Sequence, residues 1–336
     1  MNLSDPETAN GGQVRVVTDI VYASRPSGDL LLDLYYPPRA QNRVPVVLWL
    51  HGGGWFTGDR TLAPDLARHA AATGCAVASI EYRLSGQALF PAQLFDVREA
   101  IRFLRAGAER LGLEPRAVGV WGASAGGHLA ALAGLTGHLA QLPGEPATDG
   151  EPGAAVQAVA ESYGPVDLAA VVAEAEATIP GMNGASSPEA RLLGGHPDTL
   201  PDLARYASPL SWVSAAAPPF QISHGTGDTL VSHRQSELLH AALSAAGVSS
   251  ELYLVDGYRH GFLNPPGLLD VQLRAVMDDG RLLAEEPAPS LRRTSAEPDV
   301  KEAGFGFEDI EVFFRRHLFA ETPESTEGQP LDQYRS

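Results

Sequence analysis

Short apolar runs alternate with helical patterns over most of this 336-residue chain, and this alternation constrains the fold more than any other feature. Residues 46–50, 76–80 and 117–121 are apolar runs of strand length, as expected for strands buried on both faces. Helical patterns at 62–73 and 93–111 separate them. Strands that alternate with helices predict an α/β fold, with a mostly parallel central sheet and helices on both faces.

The ends of the chain and two internal segments depart from this alternation. Two β-like stretches, 14–22 and 30–36, predict an antiparallel hairpin at one edge of the sheet. We expect one domain over 14–320, with a flexible N-terminus at 1–13 and a flexible C-terminal tail at 321–336. The segments 138–155 and 264–307 are predicted insertions. Within the second we expect a helix at 268–283, apolar side chains near the site, and a mobile polar stretch at 285–302.

Charge and composition exclude several classes of protein. With 24 basic and 41 acidic residues the net charge is −17, which disfavours binding to nucleic acid or to an anionic membrane. The single cysteine, Cys75, excludes an intramolecular disulfide framework. No stretch approaches the length of a membrane-spanning helix and no signal peptide is visible, so we expect a cytoplasmic protein.

The strongest functional motif is Gly122-Ala123-Ser124-Ala125-Gly126, a G-x-S-x-G sequence. A predicted strand ends just before it and a predicted helix begins just after it. This context places Ser124 on a sharp strand-to-helix turn, with its hydroxyl exposed near a helix N-terminus. The motif therefore predicts a nucleophilic serine.

A second motif, His51-Gly52-Gly53-Gly54-Trp55, directly follows an earlier strand. Glycines allow backbone N–H groups to approach a substrate without obstruction by Cβ atoms. The N–H groups of Gly53, Gly54 and Ala125 are the predicted oxyanion hole. A phosphate-binding loop is disfavoured, because the Lys-containing P-loop pattern is missing.

A nucleophilic serine needs a base and an acid that orients the base, in the chain order serine, acid, histidine for this type of turn. His260 lies in a turn-rich loop after the last predicted strand and is the expected base. Asp228 follows the strand at 220–224 and is the expected acid. Asp256 is the rival, but it lies too close in sequence to His260, and we expect it to cap the loop instead.

Together the motifs resemble those of α/β-hydrolases of the carboxylesterase and lipase type, close to the hormone-sensitive-lipase-like esterases. Within that neighbourhood the chain is most similar to the acetyl-xylan and feruloyl esterase group. The similarity covers about residues 14–262, and it is carried by the motifs HGGGW (51–55), EYRL (81–84), GASAGGHLA (122–130), SYGPVDL (162–168), ASPLSWV (207–213), HGTGDTLV (224–231) and RHGF (259–262). The resemblance implies an α/β-hydrolase fold and a serine carboxylesterase that acts on a small-molecule ester.

Several further residues are candidates for the substrate pocket or for support of the site. Trp55, Phe56 and Tyr163 are predicted to contact substrate, while His128 is expected to pack and His51 to brace the oxyanion loop. No cofactor is expected, and no metal, because no histidine–carboxylate cluster has ligand spacing.

Three alternatives stay open from the sequence. An arylformamidase-like amide hydrolase would use the same three residues. A non-catalytic ligand-binding homologue is disfavoured because the serine, the acid and the histidine are all present. The apolar part of 264–307 could pack against the body or bind a second subunit in a homodimer.

Overall fold

The computed structural model describes residues 12–319, except 39, 41–42, 148–149, 151, 179–180, 182 and 298. The predicted C-terminal tail and nearly all of the predicted flexible N-terminus therefore lie outside the described residues. Part of the predicted insertion at 138–155 does so as well.

The described part of the chain contains one ten-stranded sheet in the order β1-β2-β4-β3-β5-β6-β7-β8-β9-β10. In chain order its strands are β1 (Arg15–Arg25), β2 (Gly28–Tyr36), β3 (Val44–Leu50), β4 (Ala76–Ile80), β5 (Leu113–Ala123), β6 (Ala158–Ser162), β7 (Phe220–Gly225), β8 (Ser250–Val255), β9 (Ala288–Thr294) and β10 (Lys301–Phe305).

Helices connect these strands and cover both faces of the sheet. They are α1 (Leu66–Thr73), α2 (Ala92–Ala106), α3 (Ala108–Leu111), α4 (Ala125–Thr136), α5 (Leu168–Thr178), α6 (Pro188–Leu193), α7 (Pro201–Ala207), α8 (Arg234–Ala245), α9 (Arg281–Glu285) and α10 (Phe307–Leu318). The helix predicted at 93–111 is split in two at Gly107, a residue type with low helix propensity. None of the helices in the described ranges is both long and apolar enough to cross a membrane.

The centre of the sheet is parallel and both of its edges are antiparallel. Strands β4, β3, β5, β6, β7 and β8 pair in parallel with one another, in that order. The N-terminal hairpin β1–β2 joins β4 antiparallel, which confirms the predicted edge. The fold class predicted from the alternation of strands and helices is therefore confirmed.

Strand β3 shows why its sequence is apolar throughout. Val46, Leu48 and Leu50 point into one hydrophobic cluster, which lies under α2 and α4. Val47 and Trp49 point into the opposite cluster, which lies under α1 and α10. A strand covered on both faces has no solvent side, so its sequence does not alternate between apolar and polar residues.

The segment 264–307 differs from the prediction. Instead of a mobile polar stretch, β9 pairs antiparallel with β8, and β10 pairs with β9. The side chains of Ala288 and Phe305 are fully buried, while most of the described residues between them are exposed or half-buried. An edge hairpin is held by main-chain hydrogen bonds, so it needs few apolar anchors, and its polar composition was misleading.

The prediction of a helix at 268–283 is also wrong. This part consists of turns, a short 3₁₀ turn at Arg274–Val276 and the short helix α9. Its backbone instead binds the preceding loop, since Asp278 N–H donates to the carbonyl of His260 at 2.9 Å and Gly280 N–H donates to that of Asn264 at 2.7 Å. The segment is thus clamped to the loop that follows β8.

Candidate active site

The carboxyl ends of the parallel strands meet at one edge of the sheet, where ligand sites of α/β folds form. Strand β5 ends at Ala123 and α4 begins at Ala125, so Ser124 forms the whole turn between them. Its backbone has φ 56° and ψ −122°, a conformation that side-chain-bearing residues rarely adopt. The turn places the Ser124 side chain above the sheet edge, as the G-x-S-x-G motif predicts.

The two glycines of the motif are required by close packing. A Cβ atom on Gly122 would overlap the carbonyl oxygen of Gly126, and one on Gly126 would overlap that of Leu50. The backbone N–H of Ser124 donates to the carbonyl of Ser162 at the end of β6, at 2.9 Å. The strained turn is therefore held from both sides by neighbouring strands.

The structure brings together the three residues predicted as nucleophile, base and acid. The Oγ atom of Ser124 lies 2.8 Å from Nε2 of His260, and Nδ1 of His260 lies 2.6 Å from Oδ2 of Asp228. All three side chains are buried. Asp256 is exposed, and its carboxylate makes no hydrogen bond with the part of the chain that the structure describes, so the predicted capping role is not seen.

Asp228 accepts three hydrogen bonds and faces one further ring nitrogen. Its Oδ1 accepts from the N–H groups of Leu230 and Val231, at 2.9 and 3.0 Å. Its Oδ2 accepts from His260 and faces Nε2 of His224 at 3.3 Å. Burial alone would raise the pKa of Asp228, but the charge of His260 and the bonds from His224 and His260 outweigh it and lower the pKa. The carboxylate is therefore ionised at neutral pH.

His224 supports the acid of the site from the end of β7. Its Nε2–H donates to the carbonyl of Val231 at 2.9 Å, and its Nδ1 accepts from the Ser236 hydroxyl at 2.8 Å. With these partners, the proton of the His224 ring is on Nε2. It points toward the carbonyl of Val231 and the carboxylate of Asp228. The signal for this role was its place at the end of β7, four residues before the acid.

The pKa of His260 is raised above its ordinary value of 6.5. Burial alone would lower it, but the negative charge of Asp228, its hydrogen bond, and the charge of Asp270 together outweigh burial. A more basic imidazole accepts the Ser124 proton more readily, and it is neutral only above a somewhat higher pH.

The loop after β3 supplies free backbone donors. Gly53, Gly54 and Trp55 have φ of 104°, 56° and 60°, so three successive residues adopt the left-handed region. Within the described ranges, the N–H groups of Gly53, Gly54 and Ala125 donate to no other residue. Beside them, His51 binds the carbonyl of Gly52 through Nδ1 at 2.7 Å, and burial lowers its pKa to about 4. This is the bracing that the sequence predicts for His51.

A largely apolar cavity of about 570 Å³ opens in front of Ser124. Its lining residues are Gly54, Trp55, Phe56, Ser124, Ala125, Pro165, Val171, Val172, Ala175, Ser187, Pro188, Glu189, Leu230, Val231, His260, Val271, Gln272 and Leu273. The predicted pocket residues Trp55 and Phe56 are among them, and so are Val271 and Leu273 of the 264–307 segment. That segment thus forms an apolar wall of the site, as expected.

Tyr163 does not line this cavity and its predicted substrate contact needs correction. The side chain is fully buried, and its ring lies edge-on to His260 and to Phe262, with ring centroids 4.9 and 4.7 Å away. Its place at the end of β6 suggested the active site, but only the packing shows that it lies under the imidazole.

These groups can carry out acyl transfer. A serine hydroxyl is hydrogen-bonded to a histidine that an ionised aspartate orients, and the N–H groups of Gly53, Gly54 and Ala125 have no acceptor among the described residues. The fold and this arrangement define the α/β-hydrolase class.

Comparisons with known proteins identify the family to which the chain belongs. It belongs to the BD-FAE family, whose model matches residues 32–243. It is 34% identical to the esterase LipQ of Mycobacterium tuberculosis over 70% of this chain and 54% of that protein. The chain thus spans about half the length of this curated relative.

Two solved structures are similar over most of their length. A truncated carbohydrate esterase from gut microbiota is 31% identical, with a TM-score of 0.61, and the match covers 74% of this chain and 90% of that one. A thermophilic esterase of Thermogutta terrifontis is 26% identical, with a TM-score of 0.59, and the match covers 80% of this chain and 89% of that one.

Proposed function

We propose that this chain is a serine carboxylic-ester hydrolase that acts through an acyl-enzyme on short to medium acyl esters. The observation that carries the proposal is the continuous hydrogen-bonded chain from Ser124 through His260 to Asp228, facing an apolar cavity. The relatives reported above are described as esterases, which favours ester over amide hydrolysis.

In the first half of the reaction, Oγ of Ser124 attacks the ester carbonyl carbon while its proton moves to Nε2 of His260. The N–H groups of Gly53, Gly54 and Ala125 donate to the oxygen that becomes negative. The tetrahedral intermediate then loses the alcohol, whose oxygen takes the proton from Nε2. An acyl ester on Ser124 remains.

In the second half, water attacks the acyl carbon and gives its proton to Nε2 of His260. The second tetrahedral intermediate collapses, the carboxylic acid leaves, and the proton returns to Oγ of Ser124. Asp228 stays ionised throughout and stabilises the imidazolium in both halves. In both halves the proton is held on Nε2 of His260, so this one imidazole serves first as the base and then as the acid.

The lining of the cavity is suited to uncharged, apolar acyl groups. None of the residues that line it is Arg or Lys, so a carboxylate on the acyl chain would meet no permanently positive side chain there. Glu189, one of its few polar residues, is buried, and burial raises its pKa. The candidate alcohols are a small molecule, a carbohydrate and an aryl group, and relative rates on esters of each distinguish them.

Hydrolysis of p-nitrophenyl esters from acetate to palmitate tests this proposal, with an N-formyl aniline alongside. We expect the highest kcat/KM on short to medium chains, and a serine-directed phosphonate should label the wild type. Ser124→Ala should lower kcat by about 10⁴–10⁶ and abolish labelling, whereas the exposed Ser211→Ala should change neither. Preference for the formamide, or labelling at another serine, would contradict the proposal.

We further propose that residues 14–320 form one domain, because all ten strands of the described chain join one sheet. The cytoplasmic location and the homodimer stay predictions. Sedimentation of the purified protein tests the homodimer, and cell fractionation tests the location.

A further inference from the structure

A second buried aspartate, Asp270, faces the base of the site from the segment that follows His260. Its side chain is about 1% exposed, and its Oδ1 accepts a hydrogen bond from Nδ2 of Asn264 at 2.6 Å. Its Oδ2 is buried and has no hydrogen-bond partner among the described residues. That oxygen lies 3.9 Å from Nε2 of His260, the nitrogen that also faces Ser124.

The oxyanion loop leaves room for this carboxylate. A Cβ atom on Gly52 would lie 2.6 Å from Oδ2 of Asp270 and 2.7 Å from its Cγ. Real Cβ contacts are not this short, so a larger residue at position 52 would displace the carboxylate. The carboxylate is thus held by packing against Gly52 and by the bond from Asn264.

His260 is the only side chain able to carry positive charge within 4.0 Å of the Asp270 carboxylate in the described part of the chain. Burial raises the pKa of Asp270, and the charge of His260 and the hydrogen bond from Asn264 oppose this rise. A buried carboxylate without another counter-charge is stabilised most when the imidazole is protonated.

Besides Asp270, the described groups around His260 are Asp228, Tyr163 and Asp278. Asp228 binds Nδ1, and the Tyr163 ring lies edge-on to the imidazole. Asp278 reaches the backbone of His260 through its own N–H, while its carboxylate pairs with Arg259 and Arg281.

Tyr82 is uncharged at neutral pH, because burial and the charge of Asp270 raise its pKa. Its hydroxyl donates to the carbonyl of His51 at 2.8 Å. Two carboxylates thus flank the imidazolium of His260. Asp228 lies near its Nδ1 and Asp270 lies near its Nε2.

We propose that Asp270 is a second acidic positioning residue, which stabilises the imidazolium of His260 from its Nε2 side in both halves of the reaction. The inference rests on the proposed ester hydrolysis. At 3.9 Å the carboxylate is too far from Nε2 to form a hydrogen bond or take its proton, so Nε2–H stays available to Ser124 and to the leaving alcohol. Asp270 thus acts through its charge, whereas Asp228 acts through a hydrogen bond.

The test is the pH dependence of kcat/KM in Asp270→Asn. Asparagine has nearly the same shape and keeps an oxygen to accept from Asn264, but it carries no charge. We expect the acidic limb of kcat/KM to move to lower pH by about one unit, because a negative charge that raises the pKa of His260 is lost. The plateau kcat should fall roughly tenfold, because the base is weaker.

Asp278→Asn is the matched control, since Asp278 is a buried carboxylate of the same segment whose partners are arginines. It should lower the Tm but leave the acidic limb where the wild type has it. If Asp270→Asn does not fold, Asp270→Ser removes the same charge with a smaller side chain, and the same shift is expected.

An acidic limb at the wild-type pH in a folded Asp270 variant overturns the inference. An equal shift in Asp278→Asn also overturns it, because the effect would then come from disturbance of the loop. Failure of the proposed function looks different: the wild type itself would not hydrolyse esters and Ser124 would resist the phosphonate.

Discussion

Nε1–H of Trp55 donates a hydrogen bond to Nδ1 of His128 at 3.2 Å, which ties the oxyanion loop to the helix that follows Ser124. The other ring nitrogen of His128 donates to the carbonyl of Ala207 at 2.7 Å. Both partners require a neutral imidazole, and burial lowers the pKa of His128 to about 4. His128 is thus a packing residue, as its position one turn after Ser124 suggested, and it also joins two parts of the site.

Replacing His128 should therefore affect both stability and activity. We expect His128→Ala to lower the free energy of unfolding by about 2–4 kcal/mol, since it leaves a cavity and two unpaired polar groups. kcat should fall as well, because Trp55 no longer holds the oxyanion loop. Urea denaturation and ester hydrolysis measure the two effects. The exposed His138→Ala is the control and should change stability by less than about 0.5 kcal/mol.

The buried histidines predict loss of stability in mild acid. His51 and His128 have pKa values lowered to about 4, whereas the unfolded chain titrates near 6.5. Below about pH 6.5 these two imidazoles bind protons in the unfolded state but stay neutral in the folded state. The free energy of unfolding should therefore fall as the pH drops from about 6.5 to 4. Denaturation across this range checks the sign. In His128→Gln the slope should lose up to about one proton, and an unchanged slope would contradict the assignment.

Asp228 and Asp256 offer a matched pair of substitutions. Asp228→Asn should lower kcat by about 10³–10⁴, because it favours the wrong tautomer of His260. Asp256→Asn should keep kcat within about twofold, because Asp256 is exposed and does not contact His260. Steady-state kinetics of both variants decide the point, and the reverse ranking would move the orienting role to Asp256.

The raised pKa of His260 sets the pH profile of the wild type. Only the neutral imidazole can accept the Ser124 proton, so kcat/KM should fall as the pH drops through this pKa. Because the pKa lies above 6.5, the midpoint of the acidic limb should lie above that value, with a plateau in mild alkali. A profile that is flat from about pH 5 to 9 would argue against a histidine base.

Much of the site was predictable because its residues occur in short local motifs. The turn at Ser124 depends on glycines within two residues of it, and the oxyanion loop depends on Gly53 and Gly54. Such backbone geometry is decided by neighbours in the chain. His260 and Asp228 could be predicted because each follows a strand of the parallel sheet, and the carboxyl ends of parallel strands meet at one edge.

Contacts between distant segments were decided only by the tertiary structure. Nothing in the local sequence shows that Asp270 packs against Gly52, or that Tyr163 lies under His260 rather than in the cavity. The hairpin formed by β9 and β10 was missed for the same reason, since edge strands are held by main-chain bonds to a neighbouring strand and not by their own apolar pattern.

The sequence by itself determined the alternating α/β architecture, the nucleophile turn, the oxyanion glycines and the order of serine, acid and histidine. These features depend on short-range steric rules and on periodic burial. Only the tertiary structure decided which carboxylates surround His260, which residues line the cavity and how the 264–307 segment completes the sheet. These depend on which distant surfaces meet, and that is a property of the packed chain as a whole.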